Sequence, residues 1–257
     1  MQETVDLNAD MSESFGPWKM GDDAALLDVV SSANIACGFH AGDPDVMAAT
    51  MGRAVARGVG IGAHPGFRDL QGFGRNRMDV PRATLANQVR YQLGAAQGMA
   101  RAAGGTVRHL KLHGALANMA SEDEGLARAC YEAALSVDPE IIVMVLAGTA
   151  QERAACSLGA RMACEIFADR AYNGDGTLVD RRQPGAVIHD AGHAAARILD
   201  MLRAGAIIAE DGTHIPTRID TICLHGDTPE AVEIARSLRK GLEAAGIGIA
   251  RFEGARA

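Results

Sequence analysis

Ionisable side chains gather in this sequence where short apolar runs end. Asn8-Ala9-Asp10 closes the first run, and Cys37-Gly38-Phe39-His40 closes the second. Ala63-His64-Pro65-Gly66, Lys111-Leu112-His113-Gly114, Glu165 through Asp169-Arg170, and His225-Gly226-Asp227 stand at later ends. Four of the eight histidines (His40, His64, His113 and His225) occupy these positions. One histidine at such a place is usually a hydrogen-bonded core residue. Several that converge can relay protons or hold a metal ion. Lys111 lies between Leu110 and Leu112 in a chain with only three lysines and 22 arginines. A buried ammonium needs a partner or a ligand. Asp10, His40, His64, Lys111 and His113 are therefore the candidate catalytic residues.

Two further segments carry charge among glycines. Residues 66–79 hold three glycines and three arginines, including Arg75 and Arg77. Residues 168–185 hold Asp169, Arg170 and Arg181-Arg182. Arginines and backbone amides in such loops can clamp an anion, and the second segment reads as a lid. Asp43 and Asp227 precede helical runs and read as N-caps.

The elements that must position these groups alternate regularly. Strands are expected at 4–9, 33–38, 58–63, 106–112, 141–146, 162–167 and 219–224. Helices are expected at 22–31, 44–57, 81–103, 122–135, 149–157, 191–203 and 229–245, with a hairpin over 207–215 on Asp211-Gly212. Seven strand-helix alternations predict a parallel sheet in an α/β fold. The expectation is a single TIM-like (β/α) barrel over residues 1–257, seven-stranded and distorted, with an open doubly wound sheet as the alternative. Catalytic groups of a barrel come from the C-terminal strand ends, which is where the histidines lie.

Alternation assigns the faces. In the first strand Val5, Leu7 and Ala9 oppose Asp6, Asn8 and Asp10. In the fourth, Leu110 and Leu112 oppose His109, Lys111 and His113. The polar sets should point into the barrel. In the third, Gly60 and Gly62 share the face of His64 and leave room near the axis.

Composition removes several classes. Apolar residues make up 48% and charged residues 22%, values that exclude a disordered chain. The apolar run 141–147 is too short to span a membrane. A net charge of -7 argues against nucleic acid or an anionic membrane as partner. The acidic start lacks a signal-peptide pattern. Five cysteines without a CxxC pair suggest core residues of a reduced, cytoplasmic chain.

Taken together, the motifs resemble the LamB/YcsF family. The resemblance rests on Asp6-Leu7-Asn8-Ala9-Asp10 with Glu13-Ser14-Phe15-Gly16, and on Asn34 through Asp43. It also rests on Ile61 through Gly66, Gly72-Phe73-Gly74-Arg75, His113-Gly114-Ala115-Leu116, Phe167 through Tyr172, and His225-Gly226-Asp227. Ser12, Leu112 and Ala117 depart from the family pattern, where Gly, Pro and Tyr are expected. The resemblance implies a barrel of the glycoside hydrolase/deacetylase type. It also implies one component of the ATP-dependent 5-oxoprolinase, which cleaves the lactam of 5-oxo-L-proline to L-glutamate with ATP as co-substrate and subunits B and C as partners. In that setting Lys111, Arg75 and Arg77 would clamp an anion, and His64 or His113, oriented by Asp10, would act as base. Asp6, Asn8, Glu165, Asp169, Arg170 and His225 complete the candidate substrate-binding set. Two alternatives stay open. One is a metal-dependent deacetylase or amidohydrolase that holds a divalent metal on Asp10, His64 and His113, a triad found in related barrels. The other is a non-catalytic small-molecule-binding subunit.

Overall fold

The computed structural model describes residues 3–224 and 231–256. Six parallel strands run in chain order: β1 (Thr4–Met11), β2 (Ser32–Ala36), β3 (Gly60–His64), β4 (Val107–Lys111), β5 (Ile142–Leu146) and β6 (Met162–Phe167). A small antiparallel hairpin of β7 (Ala206–Ile208) and β8 (His214–Pro216) follows, as its Asp-Gly turn predicts. The next strand, β9 (Thr221–Leu224), pairs with both β6 and β1 and closes a seven-stranded parallel barrel. The short β10 (Gly248–Ile249) pairs in parallel with the start of β1.

Helices pack outside the barrel: α1 (Asp23–Leu26), α2 (Pro44–Arg57), α3 (Arg82–Ala102), α4 (Gly114–Glu122), α5 (Glu124–Val137), α6 (Ala150–Ser157), α7 (Ala191–Ala204) and α8 (Ala231–Ala244). Local chemistry sets their ends. Asp43 caps α2 by accepting from Val46 N, Pro44 starts it, and Gly58 ends it at a φ of +68°. None of the helices among the described residues is long and apolar enough to cross a membrane.

Two expectations fail at helix boundaries. The helix expected at 22–31 is a single turn, because Ser31 N already donates to Leu7 O and Ser31 O accepts from Gly60 N. Sheet pairing has claimed those backbone groups. The helix expected at 122–135 is preceded by α4, which begins directly after His113. Asp123 ends α4 and caps α5 by accepting from Leu126 N. A residue favoured at caps thus splits what looked like one helix and an irregular stretch.

The apolar core lies between barrel and helices. Leu7, Ile35, Ile61, Leu110, Val143, Ile166 and Ile222 face outward from the strands and are buried against residues such as Met51, Leu85 and Leu93. The barrel interior is mostly polar and equally buried. An apolar group of Ile142, Met144, Ala163 and Phe252 fills its β5–β6 side, where the Phe252 ring stands edge-on to His109 with centroids 5.2 Å apart. Cys37, Cys130, Cys164 and Cys223 are buried, whereas Cys156, also expected in the core, is exposed on α6.

Candidate active site

The interior polar groups stack in layers along the barrel axis. In the lowest, Asp6 accepts hydrogen bonds from Ser31 Oγ (2.7 Å), Ser32 Oγ (2.7 Å) and Thr221 Oγ1. Burial pushes the Asp6 carboxyl up to about 6 against the opposing pull of those three hydroxyls. Its oxygens are committed below the mouth, so Asp6, expected at the substrate, does not line the cavity described below. The next layer joins Asn8, Asn34 and His109. Asn8 Nδ2 donates to Thr221 Oγ1 at 2.7 Å, and Asn34 Nδ2 donates to Asn8 Oδ1 at 2.7 Å. His109 Nε2 meets Asn34 Oδ1 at 2.8 Å. The room foreseen beside Gly62 is filled by this imidazole: a Cβ on Gly62 would lie 2.0 Å from His109 Nε2. Asn8 is therefore a fully buried structural link, one layer short of the mouth.

Lys111 forms the floor of the upper layer. Its ammonium lies 3.0 Å from Asp10 Oδ1, 2.8 Å from Glu165 Oε1 and 2.9 Å from Cys223 Sγ. Burial pulls the ammonium pKa down, but Asp10, Cys223 and Glu165 outweigh it and hold it well above the usual lysine range. Burial raises the Glu165 carboxyl despite the adjacent Lys111 charge. Asp10 also accepts from Asn34 Nδ2 at 2.9 Å. One buried cation thus bridges two buried carboxylates.

Three imidazoles pack beside this floor. His64 ends β3 and His113 precedes α4, so two separate βα junctions deliver them to one place. His64 Nδ1 lies 2.8 Å from Lys111 O, and His113 Nε2 lies 2.8 Å from Phe73 O. Their other nitrogens, His64 Nε2 and His113 Nδ1, face each other at 3.0 Å. Asp10 Oδ2 lies 3.3 Å from the same His64 Nε2. His40, from the β2–α2 loop, stacks on His113 with centroids 3.6 Å apart and planes 6° from parallel. Burial, helped by the neighbouring imidazoles, drops His40 well below its ordinary pKa and takes His113 to about 3. Both rings are neutral at neutral pH. Glycines make this density possible. A Cβ on Gly66 would come within 2.6 Å of His40 Nδ1, and one on Gly74 within 2.7 Å of both His40 Cβ and His113 Cδ2.

A carboxylate joins the rings. Ligand-type atoms of Glu13, His40, His64 and His113, all buried, lie within 4.8 Å of one another. This nitrogen-rich set with one carboxylate suits an ion of the zinc class. It differs from the expected triad, because Asp10 is drawn to Lys111 while Glu13 and His40 take part.

Above these groups opens a cavity of about 810 Å³, lined by Asp10, Glu13, His64, Lys111 and His113 below and by Arg75, Arg77, Arg170 and Arg181 around it. Its size lies high in the range of roughly 300–1,000 Å³ common for small-molecule sites. The arginines differ in what they can do. Arg77 makes a bidentate pair with Glu122 at 3.0 and 2.7 Å, so the expected clamp residue is engaged on the rim. Arg170 is buried and donates to Val179 O (2.6 Å) and Ala186 O (3.3 Å), which makes it a brace for the 168–185 loop. The guanidinium of Arg75 packs on the Phe73 ring at 4.9 Å and lines the cavity. Asp169 is turned away to a separate small hollow with Val187, Ile188 and His189. His225 and Asp227 lie outside the described residues.

Asn34, Cys223 and Phe73 are the members that residue-by-residue reading missed. Cys223 was legible from parity, since Thr221 and Cys223 share the inward face of β9. The carbonyl of Phe73 carried no such signal, because backbone at a φ of +54° is not written in a phenylalanine.

Comparison with known proteins agrees with this geometry. The profile of the LamB/YcsF family matches residues 5–257. The A subunit of 5-oxoprolinase from Ruegeria pomeroyi is 69% identical over 249 residues, which covers 97% of this chain and 98% of that protein. The crystal structure of the lactam utilization protein from Thermus thermophilus superposes with a TM-score of 0.91 at 42% identity, covering 97% of this chain and 100% of that one. The Bc1960 peptidoglycan N-acetylglucosamine deacetylase shares the barrel fold alone, with a TM-score of 0.52 at 10% identity over 99% of this chain and 90% of that one.

Proposed function

The chain belongs to the LamB/YcsF family, and from that premise we propose that it is the A subunit of an ATP-dependent 5-oxoprolinase. It would open the lactam of 5-oxo-L-proline to L-glutamate, with ATP as co-substrate and subunits B and C as partners, in the cytoplasm. The observation that carries this reading is Lys111 held between Asp10 and Glu165 beneath the cavity, next to the buried histidines. The name of the Ruegeria relative supports the substrate.

The chemistry asks for these parts. A five-membered lactam is an unactivated amide, and its ring closure competes with hydrolysis. Phosphorylating the amide oxygen with ATP creates a leaving group. Water then adds to the carbonyl carbon, the ring C–N bond breaks as the nitrogen takes up a proton, and a second water hydrolyses the resulting acyl phosphate to the carboxylate and inorganic phosphate. Glu165, expected at the substrate, is ion-paired with Lys111 beneath the cavity and does not line it, so the nitrogen's proton would come from water in the cavity. In the metal-free site His64 or His113 would take a proton from the attacking water, since a bound ion would occupy the remaining lone pair of each ring. Lys111 keeps Asp10 and Glu165 at fixed positions, and Arg75 and Arg181 add positive charge where a phosphate would sit. A divalent ion held by Glu13, His40, His64 and His113 would supply a Lewis acid that polarises the carbonyl oxygen.

The histidine and carboxylate cluster favours one second reading, a metal-dependent amidohydrolase or deacetylase acting without nucleotide. Turnover separates the two. The purified chain, alone and with subunits B and C, is assayed for 5-oxoproline-dependent ATP hydrolysis and for acetate release from N-acetylated amines. Little turnover is expected from the chain alone, and robust ATP hydrolysis with the partners. Nucleotide-independent acetate release, with no response to 5-oxoproline, would establish the second reading instead.

A further inference from the structure

We propose that Glu13, His40, His64 and His113 form a binding site for one divalent transition-metal ion of the zinc class. Neighbouring carbonyls fix the protons on two of these rings. A carbonyl oxygen only accepts, so the 2.8 Å contact to Lys111 O puts a proton on His64 Nδ1, which in the neutral ring leaves a lone pair on Nε2. The 2.8 Å contact to Phe73 O likewise protonates His113 Nε2 and leaves a lone pair on Nδ1. These two lone pairs face each other at 3.0 Å. A carboxylate oxygen of Asp10 approaches the same His64 nitrogen at 3.3 Å. Three electron-rich atoms that converge without a proton between them need a shared cation.

A proton or a metal ion could fill that role, and His40 decides between them. A proton bridging His64 and His113 leaves His40 unexplained. His40 is fully buried, and neither of its ring nitrogens has a hydrogen-bond partner. Its ligand atom lies within 4.8 Å of those of Glu13, His64 and His113. A metal ion gives His40 a partner, uses both facing lone pairs and draws on the Glu13 carboxylate. Metal-ligating histidines usually donate their second N–H to a carbonyl or carboxylate, which fixes ring and tautomer. His64 and His113 already have this arrangement. Three neutral imidazoles and one carboxylate select zinc, cobalt or a similar ion over calcium or magnesium, which favour all-oxygen shells.

Metal binding stands apart from the lactam reading and is tested on the chain alone, without turnover. The purified protein is stripped with a chelator, dialysed and titrated with Co²⁺, following visible d–d absorption, bound metal and melting temperature. One equivalent of bound cobalt with a raised Tm is expected. Imidazole ¹⁵N signals of the zinc-loaded wild-type protein should show His64 ligated through Nε2 and His113 through Nδ1. His40→Gln and Glu13→Gln should each weaken cobalt binding by about tenfold or more. Two results overturn the proposal. Absence of stoichiometric cobalt in the folded wild-type protein would leave a bridging proton as the only cation. Loss of binding in Asp10→Asn, with His40→Gln and Glu13→Gln unaffected, would assign the ion to a different ligand set. The imidazole signals of the wild-type protein decide the matter even where a variant fails to fold.

Discussion

Replacing Lys111 with methionine removes the cation that two buried carboxylates share. Met keeps the stem length, so the change isolates the charge. The ammonium lies 3.0 Å from Asp10 and 2.8 Å from Glu165. At an effective dielectric constant of about 20, each contact is worth about 6 kcal/mol of Coulomb attraction. The carboxylates relax by taking up protons once the cation is gone, so the net loss is smaller, about 3–5 kcal/mol as for other broken buried pairs. The pH dependence follows in sign. Burial already raises the folded-state Glu165 pKa, and without Lys111 it rises further above its unfolded value. The deficit is then largest at alkaline pH and shrinks as pH falls through that raised value. Urea denaturation at several pH values measures it. The double variant Lys111→Met/Glu165→Gln should regain about 2 kcal/mol at pH 8, because only one buried carboxylate then lacks its partner. A single variant within 1 kcal/mol of wild type at pH 8, or a deficit that grows on acidification, would refute the account of Lys111 as the clamp between Asp10 and Glu165.

Other positions give sharper single readings. Asp6 has its folded pKa raised from 3.8 to about 6, so its stabilising contribution is present below 3.8 and lost as pH rises through 6. Asp6→Asn should therefore match wild type near pH 4 and exceed it by about 3 kcal/mol at pH 8 in chemical denaturation. Gly66→Ala puts a methyl group 2.6 Å from His40 Nδ1. It should cost about 1–3 kcal/mol and displace the His40 ring from His113, which a crystal structure of the variant would show. Ser12 sits at a φ of +64° with its buried hydroxyl unpartnered. Ser12→Gly, the residue the family pattern leads one to expect there, should raise stability by about 1 kcal/mol in thermal or urea melts.

Much of the barrel was legible because its two periodicities are clean. Seven apolar strands alternate with helical runs, and the inward parity of Asp6, Asn8, Asp10, His109 and Lys111 follows from counting by twos. The convergence of His40, His64 and His113 follows from their places just beyond strand ends. Four things were not legible. Asp6 and Asn8 have the same parity as Asp10, but depth along the axis separates a floor residue from a mouth residue, and parity carries no depth. Arg77 and Arg170 were grouped with Arg75 by charge, yet one pairs with Glu122 on a helix 45 residues away in sequence and the other holds two loop carbonyls. The contributions of Phe73 O and Lys111 O are backbone contributions, invisible to side-chain types. Glu13 was quoted as part of a motif, but only the turn after β1, through the left-handed Ser12, brings it to the histidines.

The central claim is that lactam opening takes place at the mouth where Asp10, His64, Lys111 and His113 meet. The most direct measurement is glutamate formed from 5-oxo-L-proline and ATP by this chain with subunits B and C, comparing wild type with a His113→Asn variant shown to fold. The account predicts sustained glutamate formation by the wild-type assembly and a loss of about a hundredfold or more in the variant. Glutamate formation at the wild-type rate by an assembly containing folded His113→Asn would place the chemistry elsewhere.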